Sequence, residues 1–169
     1  MNFSSNLISL LLLFSAISAS GASVNNIGES DTDKVIRYTE SLEREPFQEL
    51  APIMRKWLIK WAEESPDVII VMCDILGPVP GKEIPFSPEL LVQSAFGNAA
   101  YQVSHPQNKD DFIAVQLAGV ESVLKAYNSI ITAKPEARIS YFDSLLEKHK
   151  SGTLAEFMTP IITKNCKNN

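Results

Sequence analysis

The sequence has few of the residues that carry catalysis or bind metals. Among its 169 residues are only two cysteines and two histidines. No phosphate-binding glycine loop, dinucleotide-binding glycine motif, nucleophile elbow, HExxH motif or EF-hand loop occurs. His105 with Asp110 and Asp111 could supply zinc ligands, but a polar loop at a helix end explains these residues better. We therefore expect no cofactor, no metal and no catalytic residue, and an enzyme is the least favoured class.

Basic charge is scarce as well. The chain has 15 Lys and Arg against 20 Asp and Glu, a net charge of −5, whereas binding to nucleic-acid phosphates needs a basic patch. No cluster of Lys and Arg flanks an apolar stretch, so electrostatic anchoring to a membrane is not expected either. We predict no nucleic-acid partner and no stable membrane insertion after removal of the N-terminal apolar segment.

Residues 1–28 carry no charged side chain and contain an apolar run at 7–17, followed by "SASGAS". An apolar run of this length before small residues is typical of a signal peptide, although the basic residues that usually precede the run are missing. The run is short for a membrane span, and no stop-transfer segment follows. We predict a signal peptide over residues 1–22, cleaved after Ser20 or Ala22. A flexible leader over residues 23–33 and a single helical domain over residues 34–169 are expected to follow.

Export would place the two cysteines in an oxidising compartment. Cys73 and Cys166 are then expected to form one intramolecular disulfide. A catalytic thiol would need a basic or helix-N-terminal setting, whereas Cys73 follows the apolar "VIIVM". The lack of an N-x-[ST] acceptor after the leader favours the bacterial periplasm over eukaryotic secretion. We predict an exported protein, periplasmic or extracellular, with this disulfide.

Helical signals run through most of the remaining chain. They cover residues 34–45, 50–64, 88–104, 110–133, 136–150 and the stretch from 153 onward. The apolar run at 68–73 suits either a buried strand or a buried helix. Ser65, Pro66 and Asp67 just before it are typical of a helix start, and no second strand-like run exists to pair with it. We predict a short buried helix there and an all-α fold, a single compact bundle of about six helices with one disulfide.

An uncharged polar stripe marks the helix expected at residues 88–104. Helical spacing places Ser94, Asn98 and Tyr101 on one face, with Gln102 beside them. Gln116 falls within the apolar arc of the next helix. Because an unpartnered buried amide costs about 1–3 kcal/mol, Gln116 should hydrogen-bond a backbone group or the stripe. These residues line a small-ligand pocket between helices or form an internal polar network, and the network is favoured.

Two tryptophans one helical turn apart, Trp57 and Trp61, form a second candidate surface. We expect them in the core, with the stems of Lys56 and Lys60 covering its rim. If they are exposed instead, they become a partner surface.

Two classes of function remain open. The first is an exported non-catalytic protein that acts through protein–protein contact with an unidentified partner, which requires an exposed apolar or aromatic patch. The alternative is a small-molecule binding module with an uncharged polar pocket between helices. That module requires a cavity bordered by Asn98, Tyr101, Gln102 or Gln116.

Overall fold

The computed structural model describes residues 28–166, and the regular secondary structure in this range is entirely helical. The six α-helices of this range are α1 (Asp31–Arg44), α2 (Ala51–Glu64), α3 (Ser87–Ser104), α4 (Phe112–Ala133), α5 (Ser140–Lys150) and α6 (Leu154–Asn165). Short 3₁₀ turns at Pro106–Asn108 and Pro135–Ala137 precede α4 and α5, and residues 28–166 contain no strand. The predicted all-α fold of six helices is confirmed. The predicted signal peptide and residues 23–27 of the predicted leader lie outside the described residues.

Local capping explains where several helices begin and end. Ser30 Oγ accepts a hydrogen bond from the backbone N of Asp33 at 3.1 Å, so α1 begins at Asp31, inside the predicted leader. Asp111 caps α4 in the same way, through a 3.1 Å bond from the backbone N of Ala114. Gly152, with φ +74°, adopts the left-handed conformation that commonly follows the C-terminus of a helix, here that of α5.

Helix α4 is the centre of the bundle, as its broad apolar surface predicts, and it contacts α1, α3, α5 and α6. One apolar cluster surrounds its C-terminal half and joins α5 and α6, with Tyr127 and Phe142 fully buried. A second cluster joins α1, α2 and α3 around Leu42, Leu58 and Phe96. Burial of each such side chain stabilises the fold by roughly 1.5–3 kcal/mol.

Helices α3 and α4 approach each other closely because each has a glycine at their contact. A Cβ on Gly97 would lie 2.5 Å from Cβ of Ser122, and a Cβ on Gly119 would lie 2.1 Å from Oδ1 of Asn98. Both distances are far below van der Waals contact, so a larger residue would force the helices apart. This close packing brings the polar stripe of α3 directly against α4.

Residues 65–86, here called the α2–α3 segment, contain no helix, so the short buried helix predicted within it is wrong. Ser65 is the C-cap of α2 rather than the start of a new helix. The side chains of the apolar run differ in burial instead: Val68 is buried, and Ile69 is 72% exposed. A helix would need its own backbone N–H and C=O groups for internal bonds. Here buried glutamine side chains bond the backbone groups of Ile69 and Val71 instead.

The predicted disulfide between Cys73 and Cys166 is confirmed. Its Cα atoms lie 5.2 Å apart, and it joins residues 93 positions apart in the sequence. In the chain-entropy model, a loop of this length corresponds to about 4–5 kcal/mol of stabilisation. The bridge connects the end of α6 to the α2–α3 segment rather than to a third buried helix. Asn165 Nδ2 reinforces the connection with a 2.6 Å hydrogen bond to the backbone O of Asp74.

Candidate functional site

The side chain of Gln102 on α3 holds the α2–α3 segment in place. The backbone N of Ile69 donates to Gln102 Oε1 at 2.9 Å, and Gln102 Nε2 donates to the backbone O of Ile69 at 3.1 Å. Directly opposed residues of an antiparallel β-ladder exchange the same two bonds. The glutamine amide, only 4% exposed, therefore replaces a neighbouring strand. Its Nε2 also donates to the backbone O of Asn98 at 3.2 Å, so both of its polar atoms are engaged.

Gln116 on α4 makes a second connection two residues further along. Its Nε2 donates to the backbone O of Val71 at 2.9 Å, which confirms the prediction that this buried amide bonds a backbone group. Successive residues of an extended chain direct their backbone groups to opposite edges, so Ile69 and Val71 present theirs to the same edge. The two glutamines together fix both the position and the direction of this stretch.

The amide oxygen of Gln116 is left over. Because only the –NH₂ end can donate to the Val71 carbonyl, Oε1 is the free atom, and it accepts no hydrogen bond within residues 28–166. Oε1 does not belong to the atoms of this range that are both fully enclosed and without a partner, which indicates that it keeps a small accessible area. Gln116 is only 1% exposed and is one of the residues that line a cavity, and from this we infer that Oε1 faces the cavity.

That cavity, of about 160 Å³, lies between the α2–α3 segment and the start of α4. Its walls are mostly apolar, with Gln102 and Gln116 at the inner side and one residue of each charge at the rim. The lining residues are Ile69, Val71, Gln102, Lys109, Asp110, Phe112, Val115 and Gln116. Such a space combines apolar walls with few polar groups, as small-ligand sites do.

The other stripe residues do not line this cavity. Ser94 and Asn98 are buried against Gly119 at the α3–α4 contact. Both side-chain polar atoms of Asn98 are enclosed and lack a hydrogen-bond partner among the described residues. Tyr101 is half-buried and stacks on His105 with ring centroids 4.5 Å apart. The structure thus brings Gln102 and Gln116 together at the cavity and leaves Ser94, Asn98 and Tyr101 outside it.

Trp57 and Trp61 lie at the rim of the second apolar cluster, and each is half-buried. Their rings stack with centroids 6.3 Å apart, and the edge of Tyr38 meets Trp57 at 5.5 Å. Lys34 Nζ from α1 lies 4.2 Å from the Trp57 ring centroid, a cation–π contact. The pair therefore packs between α1 and α2 and leaves only part of its surface for a partner.

A buried polar network joins α1, α3 and α4. Ser122 Oγ donates to Glu43 Oε1 at 2.6 Å, Gln93 Nε2 donates to Ser122 Oγ at 2.9 Å, and Lys125 Nζ lies 3.3 Å from Glu43 Oε2. Sequence reasoning missed this network, although Glu43 directly follows Leu42 on the buried side of α1. Because Glu43, Ser122 and Gln93 are buried, the network joins the three helices through hydrogen bonds inside the bundle.

Exposed apolar side chains adjoin the cavity. Ile69, Val71 and Phe112 line it, and Phe112 also lines an apolar groove with Ile113, Ile162 and Cys166. Phe112 therefore borders both depressions. We call Ile69, Val71, Phe112 and Ile113 the Ile69–Phe112 surface; Ile69 and Phe112 are exposed, and Val71 and Ile113 are half-buried. It extends from the α2–α3 segment to the start of α4.

No protein-family model, curated protein or solved structure matches this chain. Within residues 28–166, no three His, Cys, Asp or Glu side chains are grouped closely enough to hold a metal ion. The same range has no helix with the length and apolar character needed to cross a bilayer. What defines the protein is an all-α fold with a disulfide-linked, glutamine-held segment beside a small cavity.

Proposed function

We propose that this is an exported, non-catalytic protein that acts by binding another protein through the Ile69–Phe112 surface. The observation that carries the proposal is Ile69, which is 72% exposed although it is a large apolar residue. The apolar run near the N-terminus and the disulfide support export to the periplasm or the extracellular space.

The geometry around Ile69 favours contact with a partner. Contiguous exposed apolar surface on a folded protein commonly marks an interaction site. Ile69 is also held rigidly, because its backbone N and O both bond the buried Gln102 side chain. A surface that is already ordered loses less conformational entropy on binding, and this favours affinity.

Charge near this surface indicates the chemistry of the partner. Asp67 and Asp74, both exposed, flank the apolar run at its two ends, and the opposite charges of Lys109 and Asp110 at the cavity rim cancel. An interface with an apolar centre generally has a polar rim of complementary charge. We therefore propose a partner that presents an apolar centre flanked by Lys or Arg. A second copy of this chain fits less well, because antiparallel self-pairing of residues 68–73 would place Asp67 opposite Asp74.

Site-specific photo-crosslinking tests the proposal. A crosslinking amino acid at position 69 is compared with the same amino acid at position 53, in cells of the native host. Ile53 on α2 is the matched control, because it is 63% exposed and lines neither depression of the Ile69–Phe112 surface. We expect one discrete crosslinked partner from position 69 and none from position 53.

The aspartate variants complete the test. Ile69→Asp should abolish co-purification of the crosslinked partner, and Ile53→Asp should leave it unchanged. Circular dichroism should show that both variants keep their helices, since both side chains are exposed. Equal crosslinking from both positions, or a partner retained by Ile69→Asp, would refute the proposed surface.

A further inference from the structure

The cavity beside Gln116 has the properties of a binding site for one chemical class, independently of any protein partner. The geometry points to a neutral group of about the size of benzene that carries a single hydroxyl or N–H donor. That donor would bond Oε1 of Gln116, and the ring would pack between Ile69, Val71 and Phe112. A phenol is the simplest molecule of this class.

The unpaired oxygen of Gln116 is the first reason. Gln116 is 1% exposed and lines the cavity, its nitrogen donates to the Val71 carbonyl, and its oxygen accepts no hydrogen bond from residues 28–166. A buried acceptor without a donor is unfavourable, and a ligand that supplies the donor gains from satisfying it. The position of this atom therefore selects for a ligand with an O–H or N–H.

Size and polarity supply the remaining constraints. The cavity volume of about 160 Å³ is close to the roughly 150 Å³ of an engineered apolar cavity that binds benzene. Four of the lining side chains, Ile69, Val71, Phe112 and Val115, are apolar. Lys109 and Asp110 at the rim carry opposite charges and give the entrance no net charge. A neutral ring with one donor fits these conditions better than an ion does.

Two probes distinguish the contribution of the hydrogen-bond donor to binding from that of the ring. The ¹⁵N-labelled, disulfide-bonded protein is titrated with p-cresol and, separately, with toluene, which has nearly the same shape but lacks the hydroxyl. We expect p-cresol to shift the amide resonances of the lining residues with a Kd on the order of 1 mM or tighter. Toluene should bind about fivefold more weakly, the factor that corresponds to one net hydrogen bond. Failure of p-cresol to shift these resonances, or equal affinity for both probes, would overturn the inference.

Variants locate the binding. In Gln116→Leu the preference for p-cresol over toluene should disappear while toluene still binds. In Val71→Phe, where the larger ring fills the cavity, neither probe should bind. Ile53→Phe, an exposed substitution outside the cavity, should bind both probes as the unmodified protein does. A Gln116→Leu protein that keeps the fivefold preference would contradict the role of Oε1. Binding of either probe to a Val71→Phe protein that keeps the helical circular dichroism of the unmodified protein would contradict the location.

The donor-bearing ring could belong to a free small molecule or to a tyrosine side chain of a protein. A tripeptide Ala-Tyr-Ala with blocked ends distinguishes these sources, because p-cresol is the side chain of tyrosine. Displacement of p-cresol by the peptide supports the site with a side chain as its ligand. Binding of p-cresol without displacement supports it with a free phenol. Loss of the crosslinked partner in the cellular experiment would not alter either result.

Discussion

Replacement of Gln102 by Leu tests whether one buried amide holds the α2–α3 segment. The substitution keeps a side chain of similar length at a buried position of α3 and removes its two hydrogen bonds to Ile69. The third bond, to the backbone O of Asn98, matters less. That carbonyl keeps the helical bond from the backbone N of residue 102, which Leu also provides.

The expected loss follows from these contacts. Each neutral hydrogen bond contributes a net stabilisation of about 1 kcal/mol, so the two bonds to Ile69 correspond to about 2 kcal/mol of unfolding free energy. Because the bonds also fix the segment locally, the backbone N–H of Ile69 should be protected from hydrogen exchange in the unmodified protein. A loss of about 2 kcal/mol would reduce that protection roughly thirtyfold.

Urea unfolding of the disulfide-bonded protein measures the first quantity, and hydrogen exchange followed by NMR measures the second. The matched control is Gln48→Leu. Gln48 also makes three hydrogen bonds, to Ser41 and Glu45, but it is only half-buried and lies far along the chain from Ile69. We expect the control to lose less than about 1 kcal/mol, because water replaces its bonds, and to keep the Ile69 N–H protected. A Gln102→Leu protein with unchanged stability and unchanged exchange at Ile69 would refute the reasoning.

Three further predictions concern the disulfide, the helix contact and two tyrosines. Replacement of both Cys73 and Cys166 by Ser should lower the unfolding free energy by about 4–5 kcal/mol in urea, and a loss below about 1 kcal/mol would contradict the loop-entropy reasoning. Gly119→Ala should cost about 1–3 kcal/mol because its Cβ would meet Asn98 and the backbone of Ser94, and a rise in Tm would contradict this. Burial raises the pKa of Tyr127 and, independently, the pKa of Tyr141. The stability from these neutral phenols should therefore be complete below about pH 10 and be lost as pH rises through the raised pKa values. Absorbance of the phenolate measures the ionisation of these tyrosines, and a pKa for both that equals the pKa of free tyrosine would contradict the prediction.

Most of the helices could be predicted because their signals are local. Periodic apolar residues mark α1 to α6, and the capping residues adjoin the helices that they cap. Asp111 precedes α4, and Gly152 follows α5. The buried position of Gln116 was also predictable, since a lone amide within an apolar helical arc must find a partner. These features depend on neighbouring residues within a few helical turns.

The α2–α3 segment could not be predicted in this way. Its residues 65–67 resemble a helix start, and residues 68–73 are apolar enough for a buried helix. What decides the structure is a set of partners distant in sequence: Gln102 and Gln116 bond its backbone, and Cys166 bonds its cysteine. Helical propensity cannot reveal such contacts, because tertiary interactions override it. The ion pair of Glu43 and Lys125 was missed for the same reason.

The central claim is that the buried amide of Gln102 pairs with the backbone of Ile69 and that this pairing directs the Ile69 side chain toward solvent. Nuclear Overhauser spectroscopy of the Gln102 side-chain –NH₂ tests this most directly. The account predicts cross-peaks from these two protons to the backbone protons of residues 69 and 70, together with slow exchange of the –NH₂ protons with water. A Gln102 amide that exchanges rapidly and shows no cross-peak to those residues would contradict it.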